Sequence, residues 1–399
     1  MWLDGIICVK SRETTSGRDR SVKTSLPFTR VGYFVGAISG TSIDGLDLAL
    51  VEISTNSVDI KHDITVPFPD ELRAHLLDLT LKPIQNVVQL SHAHAELGKF
   101  IGEQVAQFIS NTGYSASDIV AVGSHGQTVS HSPEGELSYS YQIGDASRIA
   151  AISGVDTIAD FRAADIAVGG QGAPLVPILH DRVFRSEHVN RIVVNIGGIS
   201  NVTYLPMTSS NPIVGFDTGP GNTLLDTWTQ NYFECSYDNN GDLASSGSIV
   251  KELLTHLLTD PWFEVAPPKS TGREHFNLEY IHDNIQSSGV NPNPEDTLAT
   301  LTEFTATSLS TAIRKWCCNS GEVIVCGGGR LNKLLMDRIE HHLPDHVLQT
   351  SDMLGINGDA VEAVTFAFLA HLFVIGEAGN IPTVTGAKRE KILGCLYPA

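Results

Sequence analysis

Val31-Gly32-Tyr33-Phe34-Val35-Gly36-Ala37-Ile38 is followed by Ser39-Gly40-Thr41-Ser42-Ile43-Asp44-Gly45 and then by Leu46-Asp47-Leu48-Ala49-Leu50-Val51-Glu52-Ile53. An apolar run, a turn rich in glycine and hydroxyls, and a second apolar run predict a β-hairpin with a polar tip. The tip carries backbone N–H groups, three hydroxyls and the carboxylates of Asp44 and Asp47. That inventory suits a nucleotide phosphate and its Mg²⁺. No lysine of the phosphate-loop NTPase pattern is present, so that class is excluded. The same layout returns at 191–205, where an apolar strand, Gly197-Gly198-Ile199-Ser200-Asn201, and a returning strand form a second hairpin. Two such hairpins, each followed by mixed α/β segments, predict two lobes of related design.

Between and after the hairpins lie further glycine-rich stretches. Gly215-Phe216-Asp217-Thr218-Gly219-Pro220-Gly221-Asn222 predicts a strand end, a tight loop and a helix start. Glycines let a ligand approach the backbone, and a helix N-terminus offers N–H groups to an anion. Asp217 sets one carboxylate among those donors. A carboxylate repels phosphate but accepts a proton from a nucleophile, so the combination points to phosphoryl transfer with a general base. The plain alternative is a turn that Asp217 caps. Residues 118–122 predict a short strand running into a donor-rich loop at 123–128 that contains His125, which is either a ligand contact or a fixer of the turn. Arg162 is a candidate fork for a carboxylate or phosphate, or a partner of Asp160 and Asp165. Gly169-Gly170-Gln171-Gly172-Ala173-Pro174 predicts a ligand-facing loop, and Cys326-Gly327-Gly328-Gly329 a strand-to-helix turn on which an adenosine can lie. Helices are expected over 70–82, 87–109, 145–153, 247–259, 294–316 and 358–376, with Glu362 near the start of the last. Residues 267–274 are expected to form a rigid, charged connection.

Composition bounds the partners. The 399 residues predict two domains. Lys and Arg number 26 against 45 Asp and Glu, a net charge of −19, which argues against nucleic acid or an anionic membrane surface. No apolar run reaches the ~18 residues of a membrane span. The six cysteines form no C-x-x-C pair, so neither a zinc site nor a disulfide framework is expected, and a reducing cytoplasm is the simple reading. His92, His94, His341 and His342 read as helix-face histidines, and no dedicated metal site is expected. Residues 1–30 predict a disordered N-terminal extension or a start codon assigned too early.

The stretches 39–47, 123–128, 160–162, 169–174, 195–201, 215–222, 268–274, 326–329 and the closing Tyr397-Pro398-Ala399 resemble, in order and over nearly the whole chain from Val31, the anhydro-N-acetylmuramic acid kinases. The sequence departs from that pattern in its N-terminal extension and in Ala37-Ile38, where the family more usually has a methionine. The resemblance implies an actin/hexokinase-like (ribonuclease H-like) fold, two α/β lobes around a nucleotide cleft. The first lobe would span 31–157, completed by about 366–399, and the second 158–365. It also implies ATP-dependent hydrolytic opening of 1,6-anhydro-N-acetylmuramate to N-acetylmuramate 6-phosphate and ADP, in peptidoglycan recycling. Asp217 would be the base. Gly40, Thr41, Ser42, Ile43, Asp44, Gly45, Leu46, Asp47, Gly197, Gly198, Gly219, Gly221, Asn222, Gly327, Gly328 and Gly329 would hold ATP and its phosphates. His125, Arg162, Gly170 and Gln171 would meet the sugar, and Glu362 would place Mg²⁺ or water. ATP and Mg²⁺ are the implied cofactors, and a homodimer stays open. Two alternatives also stay open: a levoglucosan-type anhydrosugar kinase, and a non-catalytic nucleotide-gated binding protein.

Overall fold

The computed structural model describes residues 32–40, 43–54, 57–81, 86–208 and 210–399. The expectations for 1–30 and for Thr41 and Ser42 fall outside the described residues.

Twelve strands form two sheets among the described residues: β1 (Gly32–Ser39), β2 (Gly45–Ile53), β3 (Val58–Pro67), β4 (Ile119–Ser132), β5 (Tyr139–Ile143), β6 (Thr157–Ala159), β7 (Arg191–Ile196), β8 (Ile199–Leu205), β9 (Val214–Pro220), β10 (Gly321–Cys326), β11 (His346–Thr350) and β12 (Cys395–Tyr397). The first sheet runs β12-β6-β4-β1-β2-β3, with β5 paired to β4, and the second runs β11-β10-β7-β8-β9. In the first, β1, β2 and β3 are an antiparallel meander, while β4 lies parallel to β1 and β6 parallel to β4. In the second, β7, β8 and β9 repeat the meander and β10 and β11 repeat the parallel pair. This duplicated order is the ribonuclease H-like unit used twice, as in the actin/hexokinase fold, so the expected fold class holds.

Successive side chains of a strand face opposite sides, and both sides of β1 are covered. Phe34 and Ile38 pack with Val361, Val364 and Phe366 of the helix Val361–Ile375. Val35 and Ala37 pack with Leu97, Ile101 and Val105 of the helix Val87–Asn111. Covered on both faces, the strand reads as an unbroken apolar run. The helix Pro294–Trp316 has the expected bounds. The Asn293 side chain accepts the Asp296 N–H, acids occupy the first turn, and Arg314 and Lys315 the last, each sign matched to its end of the helix dipole. The helix expected over 247–259 is shorter, Lys251–Leu257, and the last long helix starts at Val361 rather than at 358.

Two expected loops are strand. Residues 123–128 belong to the 14-residue β4, and residues 215–220 to β9. Their glycines signal close packing rather than a turn. A Cβ on Gly123 would stand 2.0 Å from the Phe366 carbonyl oxygen, and one on Gly219 would stand 2.8 Å from the Phe263 ring. Periodicity alone does not separate these two uses of glycine.

Candidate active site

A cleft of about 1250 Å³ is lined from both sheets. Gly40, Asp44, Gly45 and Asp47 come from the first hairpin, and Gly197 and Asp217 from the second meander. Gly327 and Gly328 follow β10, while Arg162, Gln171 and Glu362 complete the set that the sequence singled out. Others serve the scaffold. Ile43 and Leu46 bury their side chains in the core, which leaves only their backbone for a ligand. Gly221 lies against the Gly197 carbonyl, Gly329 against Ile196 and Gly170 against the Asp165 carboxylate, each too close for a Cβ. Gly198 carries the turn, its carbonyl accepting N–H groups from Gly221 and Thr223. Asn222 donates from Nδ2 to the Ile196 carbonyl.

Asp217 sits in the middle of β9 opposite Asn201, beside a register shift between Ser200 and Asn201. It is therefore a strand residue, not a member of a loop at a helix N-terminus. Its backbone N–H donates to the Lys269 carbonyl, and one carboxylate oxygen accepts the Thr271 N–H at 3.0 Å. The strand pairing and this strap fix the carboxylate. Burial pushes its pKa up to about 6; the Thr271 N–H and Lys269 pull the other way, and Glu274 adds to the rise. A carboxylate poised near 6 is a stronger base than an exposed aspartate and still mostly ionised at neutral pH. The strap over 267–274, read from sequence as a connection, thus supplies the group that orients this carboxylate. Its proline pair and charged residues were visible, but its partner lies 54 residues away and was not.

Arg162, at the start of the helix Phe161–Ile166, donates from Nε to His125 Nε2 at 2.9 Å and from Nη1 to the Gly172 carbonyl at 2.7 Å. Its charge and the carboxylate of Glu362 act on each other, holding Glu362 down against a larger upward push from burial. Asp47 adds to that push, and Asp47 is itself raised by burial, while Thr65 donates to one of its oxygens at 2.6 Å. Gln171 is exposed at the cleft, and its loop is tied down by Asp165, whose buried carboxylate accepts from Gly172 N, Asn380 and Thr385.

On the opposite side, Gly327 adopts φ +78, a conformation that favours glycine, and turns the chain out of β10. Arg330, with 5% of its side chain exposed, braces this turn. Its guanidinium donates to Asp352, Asp359, Asn357 and the Gly327 carbonyl. Asn357 in turn donates to Asp63 of β3, tying the first sheet to this turn. Nothing in the local sequence marked Arg330, because its side-chain partners Asp352, Asn357 and Asp359 lie 22 to 29 residues on.

Among the described residues, no group of three or more His, Cys, Asp or Glu is arranged to hold a metal ion, and no helix is long and apolar enough to cross a membrane.

The chain matches a family model described as anhydro-N-acetylmuramic acid kinase over residues 32–399. It is 42% identical over 370 residues to a protein of Xylella fastidiosa (strain Temecula1) named anhydro-N-acetylmuramic acid kinase, covering 92% of this chain and 96% of that one. It is 43% identical over 367 residues to a protein of the same name from Saccharophagus degradans, covering 91% and 98%.

Proposed function

The chain belongs to the anhydro-N-acetylmuramic acid kinase family, and from that premise we propose how its cleft carries out the reaction. The enzyme uses ATP and water to open 1,6-anhydro-N-acetylmuramate and yields N-acetylmuramate 6-phosphate and ADP. The observation that carries the site reading is Asp217, a fixed carboxylate raised to about 6 in a cleft whose other walls carry two glycine turns.

Water attacks the anomeric carbon and gives its proton to Asp217. As the C1–O6 bond breaks, O6 forms a bond to the γ-phosphorus, and the bond from phosphorus to the bridging oxygen of ADP breaks. Backbone N–H groups of Gly40, of residues 43–47 and of the turn at 197–198 stabilise the charge on the transferring group. Gly327 and Gly328 border the adenosine. Arg162 and Gln171 meet the sugar and its lactyl carboxylate. The donor set of Asp47 and Glu362 fits a divalent cation: both are oxygen ligands, and burial pushes both carboxylates up, Glu362 even against the Arg162 charge. With nucleotide bound, Mg²⁺ supplies neutralisation of phosphate charge there. A cytoplasmic setting, peptidoglycan recycling, and partners limited to the sugar and ATP belong to the same reading, and the net charge of −19 argues against nucleic acid or an anionic membrane as a partner.

The test is coupled ADP release from purified protein with ATP-Mg²⁺ and, in turn, 1,6-anhydro-N-acetylmuramate, levoglucosan and N-acetylmuramate. Turnover is expected with the first alone. Preference for levoglucosan would reassign the sugar pocket, and ATP binding without turnover would leave only a nucleotide-gated binder. Neither alternative is favoured by the relatives.

The nucleotide side has its own prediction. Arg330→Lys keeps the charge but loses the planar fork that reaches four partners at once. The KM for ATP should rise roughly 10-fold or more, since hydrogen bonds to charged groups contribute about 1.5–3 kcal/mol, while the KM for the sugar stays put. Equal rises in both constants would show that Arg330 braces the whole cleft rather than the nucleotide turn.

A further inference from the structure

The sequence reading offers His125 as a sugar contact, but the structure engages both of its ring nitrogens elsewhere. The Nε of arginine can only donate, so His125 Nε2, 2.9 Å from it, must be the acceptor. The ring proton is then on Nδ1, which donates to the Gly126 carbonyl at 3.0 Å. No ring nitrogen remains to meet a sugar hydroxyl. The scaffold around the ring favours this tautomer. Gly126 adopts φ +71 at a register shift between β1 and β4, and a Cβ there would stand 2.1 Å from the Ile143 carbonyl oxygen, so only glycine turns this carbonyl to the imidazole. Phe366 lies against the ring, with centroids 4.7 Å apart. Burial and the Arg162 charge together disfavour the imidazolium.

We propose that His125 is a positioning residue for Arg162: its neutral Nδ1–H tautomer accepts the Arg162 Nε–H and thereby fixes which edge of the guanidinium the cleft presents to the substrate. With Nε on His125 and Nη1 on the Gly172 carbonyl, Nη2 is the nitrogen without a hydrogen bond among the described residues. Arg162 and Glu362 line both the main cleft and a smaller cavity of about 140 Å³ on which His125 opens. The amide of Gln127 in that cavity is already engaged, accepting from Ser39 and donating to the Thr128 carbonyl. The guanidinium is therefore held by one side chain and one carbonyl, and the imidazole is the one of the two that mutation can remove.

The inference rests on reading Arg162 as a sugar contact, and the experiment separates the two. In the full-length enzyme, His125→Ala should raise the KM for 1,6-anhydro-N-acetylmuramate roughly 10- to 100-fold, from loss of a hydrogen bond to a charged group. The KM for ATP should hold. His125→Gln, whose Oε1 accepts in place of Nε2, should recover most of the loss. ¹⁵N NMR of the unmutated protein, with the His125 signals assigned by their loss in His125→Gln, should show Nδ1 protonated and Nε2 bare. An Nε2–H or doubly protonated ring overturns the proposal whatever the kinetics of the variants, and so does a folded glutamine variant that restores nothing. If Arg162→Ala raises the sugar KM while His125→Ala does not, the positioning role alone fails. If Arg162→Ala leaves the sugar KM unchanged, the sugar-contact reading fails and takes the proposal with it.

Discussion

Asp217→Asn is expected to lower kcat roughly 10²- to 10⁴-fold, the range for loss of a general base, with a smaller change in the KM for ATP. Asparagine keeps the shape and still accepts the Thr271 N–H through its side-chain oxygen, so the loss isolates proton transfer. In the parent enzyme the base works only when ionised. With a carboxyl titrating near 6, kcat/KM should climb with pH through that value and then level off. The same group makes a second prediction about stability. Its pKa is raised from 3.8 in the folded chain, so folding takes up a proton between the two values. The contribution of this carboxyl to stability is thus full below about 4 and is lost as pH rises through about 6. Asp217→Asn removes the buried charge and should stabilise the protein at neutral pH, by on the order of 1–3 kcal/mol. Dead but more heat-resistant protein at pH 7.5, with the advantage shrinking at pH 4, is the expected pair of results. A variant with near-normal turnover would remove Asp217 from the role of base. One that is inactive and less stable would mean that the Thr271 strap, not the proton, was lost.

Gly36→Ala and Gly123→Ala are expected to be the most damaging single-methyl changes to the scaffold. A Cβ on Gly36 would stand 1.7 Å from the Ala363 carbonyl oxygen, and one on Gly123 would stand 2.0 Å from that of Phe366. Both obstacles are backbone atoms of the helix Val361–Ile375, which cannot rotate away as a side chain can. The helix must lift off β1 and β4, taking with it the packing of Phe34, Ile38 and Ala121. Overpacking of this kind costs roughly 3 kcal/mol or more when the obstacle is backbone. The displaced helix also carries Glu362 in its first turn, so residual folded enzyme should lose activity as well. Gly40→Ala is the control for stability, because nothing lies within 4 Å of a Cβ built there. Thermal melts of the three variants decide the matter. If Gly36→Ala and Gly123→Ala melt with the parent, the helix does not lie that close to the sheet.

The first hairpin shows how far the sequence reaches. Its unbroken apolar runs require strands covered on both faces, and its glycine- and hydroxyl-rich tip predicts a turn. The recurrence of that layout at 191–205 predicted two lobes of related design, because hydrophobic periodicity is a local property that any tertiary arrangement must respect, while the fold class itself came from the family resemblance. Asp217, Glu362, Arg162 and the glycine turns were likewise legible as chemistry-bearing residues.

The tertiary structure alone decided what each residue touches there. Glycine signals both a turn and a close approach, and only the helix lying across β4 distinguishes them at Gly123. His125 carries the same side chain whether it meets a sugar or holds an arginine, and the choice is made by Arg162, 37 residues on. The strap that orients Asp217 and the arginine that braces Gly327 are contacts between segments far apart in the chain. Local pattern records what each segment must bury; which distant segment meets it, and at what distance, is set by packing of the whole.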